Sequence, residues 1–263
     1  MNDKKKILVA APTYNMMKYC QDKFFDRIKN LSYPEYDILI VDNTRGGEYS
    51  KELESIGGMK VIHDNTTEEK NIFRLISSRN KILDYALENN YTHIMMFDVD
   101  VIPPVNIIEE LLECNKDLVS GLYYNYFNAN GGVKYLPVSW KHLTEEEFKE
   151  VKTKYKLPEI VKTRTDLRRH LTKQETDSNE LHKVAFPSAG CMLIKRVVFE
   201  KVRYGLLEKP GFNLKAGDDI YFIIKARDFG FIPYCHTKLK CEHLVLEKYE
   251  KDEDGNLVNR GLN

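Results

Sequence analysis

Apolar residues along this 263-residue chain fall into two rhythms. In the first half, short unbroken apolar runs alternate with stretches in which apolar residues return every three or four positions. Lys6–Pro12 (KILVAAP), Tyr36–Asp42 (YDILIVD), Met59–His63, a run ending at Asp98 and Asp117–Tyr123 read as strands. Continuous runs of this kind fit strands buried on both faces of a parallel sheet. Between them Met17, Cys20, Phe24, Ile28 and Leu31 recur at helical spacing, as do Ile72, Ile76, Leu83 and Ala86. Thr66-x-x-Glu69 has the pattern of a capping box before the second of these helices. Val105–Glu113 reads as a third, with its first turn near Pro104. The alternating order predicts an α/β fold with a mostly parallel sheet covered on both faces.

The rhythm breaks after Trp140. Lys141–His182 is charged, weakly periodic and interrupted. It reads as an inserted helical or mobile segment over a site, or as a solvated excursion, and both readings stay open. Its basic core, Arg164–Lys173, is suited to steering an anionic acceptor. Regular patterning resumes with Ala185–Lys195, which contains a strand-like CMLI. Leu214–Arg227 places Gly217, Asp218 and Asp219 before an apolar helix, Phe231–Leu246 is strand-rich, and Glu247–Asn263 is a polar tail.

Charge and cysteine usage narrow the class. Lys+Arg and Asp+Glu number 40 each, so no global charge draws the chain to nucleic acid. No apolar stretch approaches the roughly 18–20 residues of a membrane span, and the MNDKKK start lacks the pattern of a secretory signal. The five cysteines are scattered and odd in number, which fits reduced thiols of a cytoplasmic protein.

The chemistry concentrates at Tyr91–Pro104 (YTHIMMFDVDVIPP), where the apolar run Ile94–Phe97 leads straight into Asp98 and Asp100. Ligand sites of open α/β sheets lie just outside the carboxyl ends of such strands. Two like charges there cost free energy unless a cation or donors neutralise them. Mg²⁺ or Mn²⁺, bridging carboxylate and substrate phosphate, meets that need; loop capping by Asp is the bland alternative. Arg79 shares the apolar stripe of its helix and so needs an anion, either a carboxylate such as Asp98 or a substrate diphosphate. Asp218 and Asp219 suit a helix start, and one of them also suits a general base. Cys235, His236, Cys241 and His243 match no standard zinc knuckle.

Taken in order, these pieces resemble a GT-A glycosyltransferase of the family 2 type. VAAPTYN (Val9–Asn15) resembles the first strand and the loop holding the nucleotide, with Pro12, Thr13 and Tyr14 as contacts. ILIVDNT (Ile38–Thr44) resembles the second strand, whose Asp42 would touch base or ribose. SSRNKIL (Ser77–Leu83) resembles the helix whose Arg79-Asn80 pair faces the nucleotide. FDVD (Phe97–Asp100) resembles the Asp-x-Asp motif, with apolar Val99 in its middle. SAGCMLIKRVVFEKV (Ser188–Val202) resembles the turn and strand lining the donor sugar, Gly190 included. GDDIYFIIKARDFGF (Gly217–Phe231) resembles the acidic pair and helix that carry the base, and CEHL (Cys241–Leu244) the strand whose His completes the metal site.

The resemblance implies a single Rossmann-like α/β/α sandwich, with a nucleotide-binding half (1–125), an acceptor-binding half (126–246) carrying the 141–182 insertion, and a tail (247–263). It implies a UDP- or GDP-sugar donor, an acceptor hydroxyl on a glycan, lipid, protein or small molecule, and Mn²⁺ or Mg²⁺ on Asp98, Asp100 and His243. Asp219 would be the base, with inversion, and Asp218 its neighbour where relatives more often have Glu-Asp. Long membrane helices of processive synthases are missing. A sugar nucleotidyltransferase is the first alternative; APTYN has neither the glycine nor the base of that class's phosphate loop. A non-catalytic nucleotide-sugar binder is the second, against which the intact carboxylates count.

Overall fold

The computed structural model describes residues 5–129, 132–207, 217–252, 255 and 257–262. The leading half follows the expected alternation. Strands β1 (Ile7–Thr13), β2 (Tyr36–Asp42) and β3 (Lys60–His63) are joined by helices α1 (Lys18–Lys29) and α2 (Glu48–Ile56). Helix α3 (Asn71–Glu88) leads to β4 (His93–Phe97), and β5 (Val101–Ile102) and α4 (Ile107–Glu113) lead to β6 (Leu118–Leu122). All seven residues of β1 and all five of β4 are buried, as unbroken apolar runs require. Ile7, Val9 and Ala11 face a core with Phe24, Ile28, Leu53 and Leu111, while Leu8 and Ala10 face one with Ile82, Leu83, Phe199 and Phe222. The period-two alternation of a strand thus feeds two helical layers.

Two local expectations do not hold. The chain stays irregular past Thr66, and α3 opens at Asn71 with Lys70 as N-cap and no side-chain cap. The Thr66 hydroxyl only accepts a long 3.4 Å bond from the Glu68 amide, so no capping box forms. Helix α2 follows the turn-like Asn43–Gly47 and had no clear signal in the sequence, since its nine residues bury only Tyr49, Ser50 and Leu53.

The second half is more strand-rich. It contains β7 (Tyr124–Ala129), β8 (Gly132–Pro137), β9 (Trp140–His142), α5 (Glu145–Lys154), β10 (Arg168–His170), α6 (Lys173–Asp177) and β11 (Leu181–Lys183). These are followed by β12 (Cys191–Lys195), α7 (Arg196–Phe199), α8 (Asp218–Asp228), β13 (Pro233–Lys240), β14 (Glu242–His243), β15 (Glu247–Lys251) and β16 (Leu257–Leu262). Leu214–Ala216, the start of the segment that leads into the expected helix, lie outside the described residues; α8 starts at Asp218. The polar tail pairs as β15 and β16 and joins β8 and β7 in an antiparallel sheet, where Tyr249 stacks on Tyr126 at 3.9 Å. Among the described residues no helix is long and apolar enough to cross a membrane.

The central sheet has the order β11-β13-β6-β12-β4-β1-β2-β3. Strands β4, β1, β2 and β3 run parallel, as do β6 and β13. Strand β12 inserts antiparallel between β4 and β6. That inversion pairs Cys191 with Phe97, so the turn before β12 sits beside the carboxyl end of β4. The short ribbon β5–β14 then sets His243 opposite Val101.

Candidate active site

Beyond the carboxyl ends of β1, β2 and β4 lies a cavity of about 180 Å³. Pro12, Thr13 and Tyr14 contribute from the end of β1, Asp98, Val99 and Asp100 from the end of β4, and Arg79 from α3. Asn43, Met17 and Leu75 complete the lining.

Arg79 is buried and is the charge hub of this region. Its Nη2 donates to Asp98 Oδ1 at 2.6 Å. Its Nη1 lies 3.1 Å from Asp218 Oδ2, a charge contact whose angles fall short of a hydrogen bond. Arg79 Nε and Nη1 and Asp218 Oδ2 are therefore buried without hydrogen-bond partners. The guanidinium also lies 5.2 Å from the Tyr204 ring, which is stacked on Phe222 of α8.

Three carboxylates, Asp98, Asp218 and Asp219, act on this one guanidinium. Asp98 keeps 33% of its side chain open to solvent. The protein packed around it nevertheless pushes its pKa up to about 6; Arg79 opposes the rise, and Asp100, Asp218 and Asp219 add to it. Asp219 is also raised by burial, against Arg79 and with Asp218. It accepts a 2.7 Å bond from the Ile220 amide but has no ion pair with Arg79, so of the acidic pair Asp218 is tied down and Asp219 is the freer carboxylate.

Asp100 and His243 form the second cluster. His243 Nε2 lies 3.5 Å from Asp100 Oδ2. The Asp100 carbonyl accepts from the Leu244 amide at 2.7 Å, which locks the two loops together. His243 Nδ1 donates to the Tyr124 carbonyl at 3.0 Å, so Nε2 is the ring nitrogen turned to Asp100. Burial lowers the His243 pKa, but the Asp100 bond and charge outweigh it and raise the value.

This donor set fits a hard divalent ion. Two atoms bound to one ion at about 2.1 Å lie roughly 3.0–3.5 Å apart at ordinary angles, which matches the Asp100–His243 separation. A carbonyl on the remote ring nitrogen is the usual support of a ligating histidine. No group of three His, Cys, Asp or Glu among the described residues is gathered for an ion. Asp98 is turned to Arg79, and Mg²⁺-type ions that take their remaining ligands from water and substrate phosphate suit such a partial set.

Glycine is required behind Asp98. A Cβ on Gly190 would come within 2.7 Å of Asp98 Oδ2 and 2.9 Å of the Tyr123 hydroxyl. The Gly190 carbonyl accepts the Asp98 amide at 3.0 Å, and its own amide donates to Tyr123 Oη at 3.3 Å.

No protein-family model and no curated protein matches the sequence. Solved structures match by shape. GalNAc-T7 with UDP, GalNAc and Mn²⁺ is 14% identical over 93% of this chain and 45% of its own, at a TM-score of 0.60. The mannosyltransferase PcManGT from Pyrobaculum calidifontis, in complex with GDP-Man and Mn²⁺, is 14% identical over 93% of this chain and 58% of its own, at 0.51. The fold is the GT-A glycosyltransferase fold. This chain spans about half the length of those two GT-A structures. A197 from STIV is 17% identical over 98% of this chain and 95% of its own, at 0.46, too distant in shape to add to the argument.

Within the GT-A frame the residues singled out in the sequence divide. Pro12, Thr13, Tyr14, Arg79, Asp98, Val99 and Asp100 converge on one cavity. Asp42 does not join them: it is fully buried, and its carboxylate accepts the Thr44 amide at 2.8 Å and the Ser50 hydroxyl at 2.6 Å, tying the loop after β2 to α2. Asn80 also faces elsewhere, pairing with both the carbonyl and the amide of Tyr204 at 3.0 and 2.9 Å. Asn43, one residue past Asp42, reaches the cavity instead; its place directly after a strand end was the available signal. Tyr123 and Tyr204 support the acidic groups from behind and carry no sequence signal of that role.

Proposed function

We propose that the protein transfers a sugar from a UDP- or GDP-sugar to an acceptor hydroxyl, with Mn²⁺ or Mg²⁺, and with inversion. The observation that carries this reading is the excess of negative charge: Asp98, Asp218 and Asp219 act on one guanidinium, and Asp100 adds its charge beside Asp98, at the mouth of a nucleotide-type sheet. A divalent ion would supply the missing positive charge, and the diphosphate it accompanies would be met by the Arg79 guanidinium.

Pro12, Thr13 and Tyr14 form the wall against which the nucleoside rests. Asp98, Asp100 and His243 hold the ion, which when bound supplies Lewis-acid neutralisation of the departing diphosphate. Arg79 adds fixed positive charge at the phosphates. Asp218 anchors the start of α8 to Arg79 and so sets the position of Asp219. Asp219 takes the proton from the acceptor hydroxyl as its oxygen forms the new bond to the anomeric carbon and the bond to the diphosphate breaks. A pKa raised by burial brings that carboxylate closer to neutral pH, as a base requires.

Calorimetric titration with UDP and GDP, each with and without Mn²⁺, tests the reading. The expected result is metal-dependent binding of one nucleotide, with Asp100→Ala losing at least tenfold in affinity while its melting temperature stays unchanged. Absence of binding to both nucleotides in the presence of metal refutes it.

A further inference from the structure

A groove runs along α8, away from the donor cavity. It encloses about 730 Å³ and is lined chiefly by Leu167, Arg168, Phe186, Ile220, Ile224 and Arg227. A second hollow of about 510 Å³ continues it, sharing His142 and Arg227. Ile220 and Ile224 are one turn apart on α8, so the groove is walled by the helix whose first turn carries Asp219, the residue assigned as base.

Leu167, Leu207, Ile220 and Ile224 are the aliphatic part of the lining, beside Phe186, and its arginines have no ion pair among the described residues. Arg168 and Arg227 are exposed, and among the described residues neither has a carboxylate partner. Arg168 lies over the rings of Phe186 at 5.0 Å and Trp140 at 5.7 Å, which fixes its plane. Arg227 Nη1 donates to His142 Nε2 at 3.0 Å, and His142 Nδ1 donates to the Leu167 carbonyl at 3.3 Å. Burial lowers the His142 pKa; the Leu167 bond opposes this and the nearby arginines reinforce it, so the ring stays neutral and props Arg227. The two acids of the lining are engaged elsewhere. Asp166 accepts the amides of Lys162 and Thr163, and Asp228 pairs with Lys225 at 3.4 Å.

Braced guanidinium forks with no carboxylate partner recognise phosphate. The apolar side chains of the lining, Leu167, Phe186, Leu207, Ile220 and Ile224, suit a hydrocarbon chain. We propose that the groove is the acceptor cleft and that it takes a lipid-like acceptor, an apolar chain bearing a phosphate as well as the accepting hydroxyl, with the phosphate held by Arg168 and Arg227. The assignment as acceptor cleft rests on the glycosyltransferase reading; the ligand chemistry of the groove does not.

Calorimetric titration of the full chain with dodecyl phosphate below its micelle concentration tests this, with dodecyl maltoside and inorganic phosphate as the comparison probes. Dodecyl phosphate is expected to bind at least tenfold more tightly than either. The Arg168→Gln/Arg227→Gln double variant is expected to lose at least tenfold for dodecyl phosphate, with Mn²⁺-dependent UDP or GDP binding unchanged as proof of an intact fold. Ile224→Asn is expected to weaken dodecyl phosphate and leave nucleotide binding alone. Equal binding of dodecyl phosphate and dodecyl maltoside, equal binding of inorganic phosphate, or undiminished binding by the double variant each overturns the proposal. Dodecyl phosphate binding in a chain that binds neither nucleotide refutes the donor reading and upholds the ligand chemistry of the groove.

Discussion

The 141–182 insertion and the mouth of the sheet are both dense in charge, and they treat it in opposite ways. In the insertion the charges of Lys141, Arg169, Glu147 and Glu175 are paired. Arg169 bonds Glu147 at 2.6 Å and Glu175 at 2.7 Å, and Lys141 reaches Glu175 at 2.9 Å. Thr144 and Thr172 close full capping boxes at the starts of α5 and α6. At the mouth, Asp98 and Asp218 share Arg79 with Asp219 and Asp100 close by, and buried polar atoms of Arg79, Asp218 and Thr13 stay without hydrogen-bond partners. Paired charge builds structure. Unpaired, desolvated charge of one sign is the mark of a place made for a ligand of the other sign.

Removing the hub should break this contrast most severely. Arg79→Ala leaves Asp98 and Asp218 facing each other with no cation, and a cost of about 3–5 kcal/mol in urea unfolding is expected, together with loss of nucleotide binding. Full stability in that variant would mean that the mouth tolerates its charge without a partner.

Asp219→Asn separates chemistry from binding. Transfer should fall about 10²–10⁴-fold, with Mn²⁺-dependent nucleotide affinity unchanged by calorimetry. Wild-type turnover would remove Asp219 as base.

Gly190→Ala sharpens the geometry. Its Cβ has no room against Asp98 and Tyr123, so a loss of about 1–3 kcal/mol is expected, with weakened nucleotide binding because Asp98 must shift. A variant stable and binding as before would show that the Asp98 carboxylate is free to move.

Glu175→Gln probes the paired region and carries the smallest effect, about 1–3 kcal/mol at neutral pH. Burial raises the Glu175 pKa, but bonds from Arg169, Lys141 and the Thr172 amide outweigh it and lower the value from 4.5 to about 2. A carboxyl with a depressed folded pKa stabilises above its unfolded value, so this contribution is complete above about pH 4.5 and is lost as pH falls toward about 2. The variant and the parent should converge in stability over that window; a constant difference down to pH 2 would deny the linkage.

Much of the mouth was legible in the chain because its parts are local. Strand runs before Asp98, the stripe that carries Arg79 and the loop Pro12–Tyr14 each follow from side-chain period and from the rule that ligands sit at strand ends. Two alternatives offered for Arg79, a carboxylate or a phosphate, were both reasonable because pairing with Asp98 and lining a cavity are compatible. Asp42 and Asn80 show the limit of motif reading. Both stand at the expected positions, and their hydrogen bonds aim them away from the cavity. In the insertion, weak periodicity hid α5, α6, β9 and β10 because ion pairs and caps hold them more than an apolar stripe does.

The sequence by itself determined the alternating α/β order, the buried strands and the clustering of acids at a strand end, because each depends on residues within one turn or one strand of each other. Only the tertiary structure decided that β12 runs antiparallel beside β4 and puts Gly190 against Asp98, that β14 carries His243 to Asp100, and that Arg79 chooses Asp218 over Asp219. Those contacts join segments about a hundred residues apart, and they are set by strand order and packing, which no local period encodes.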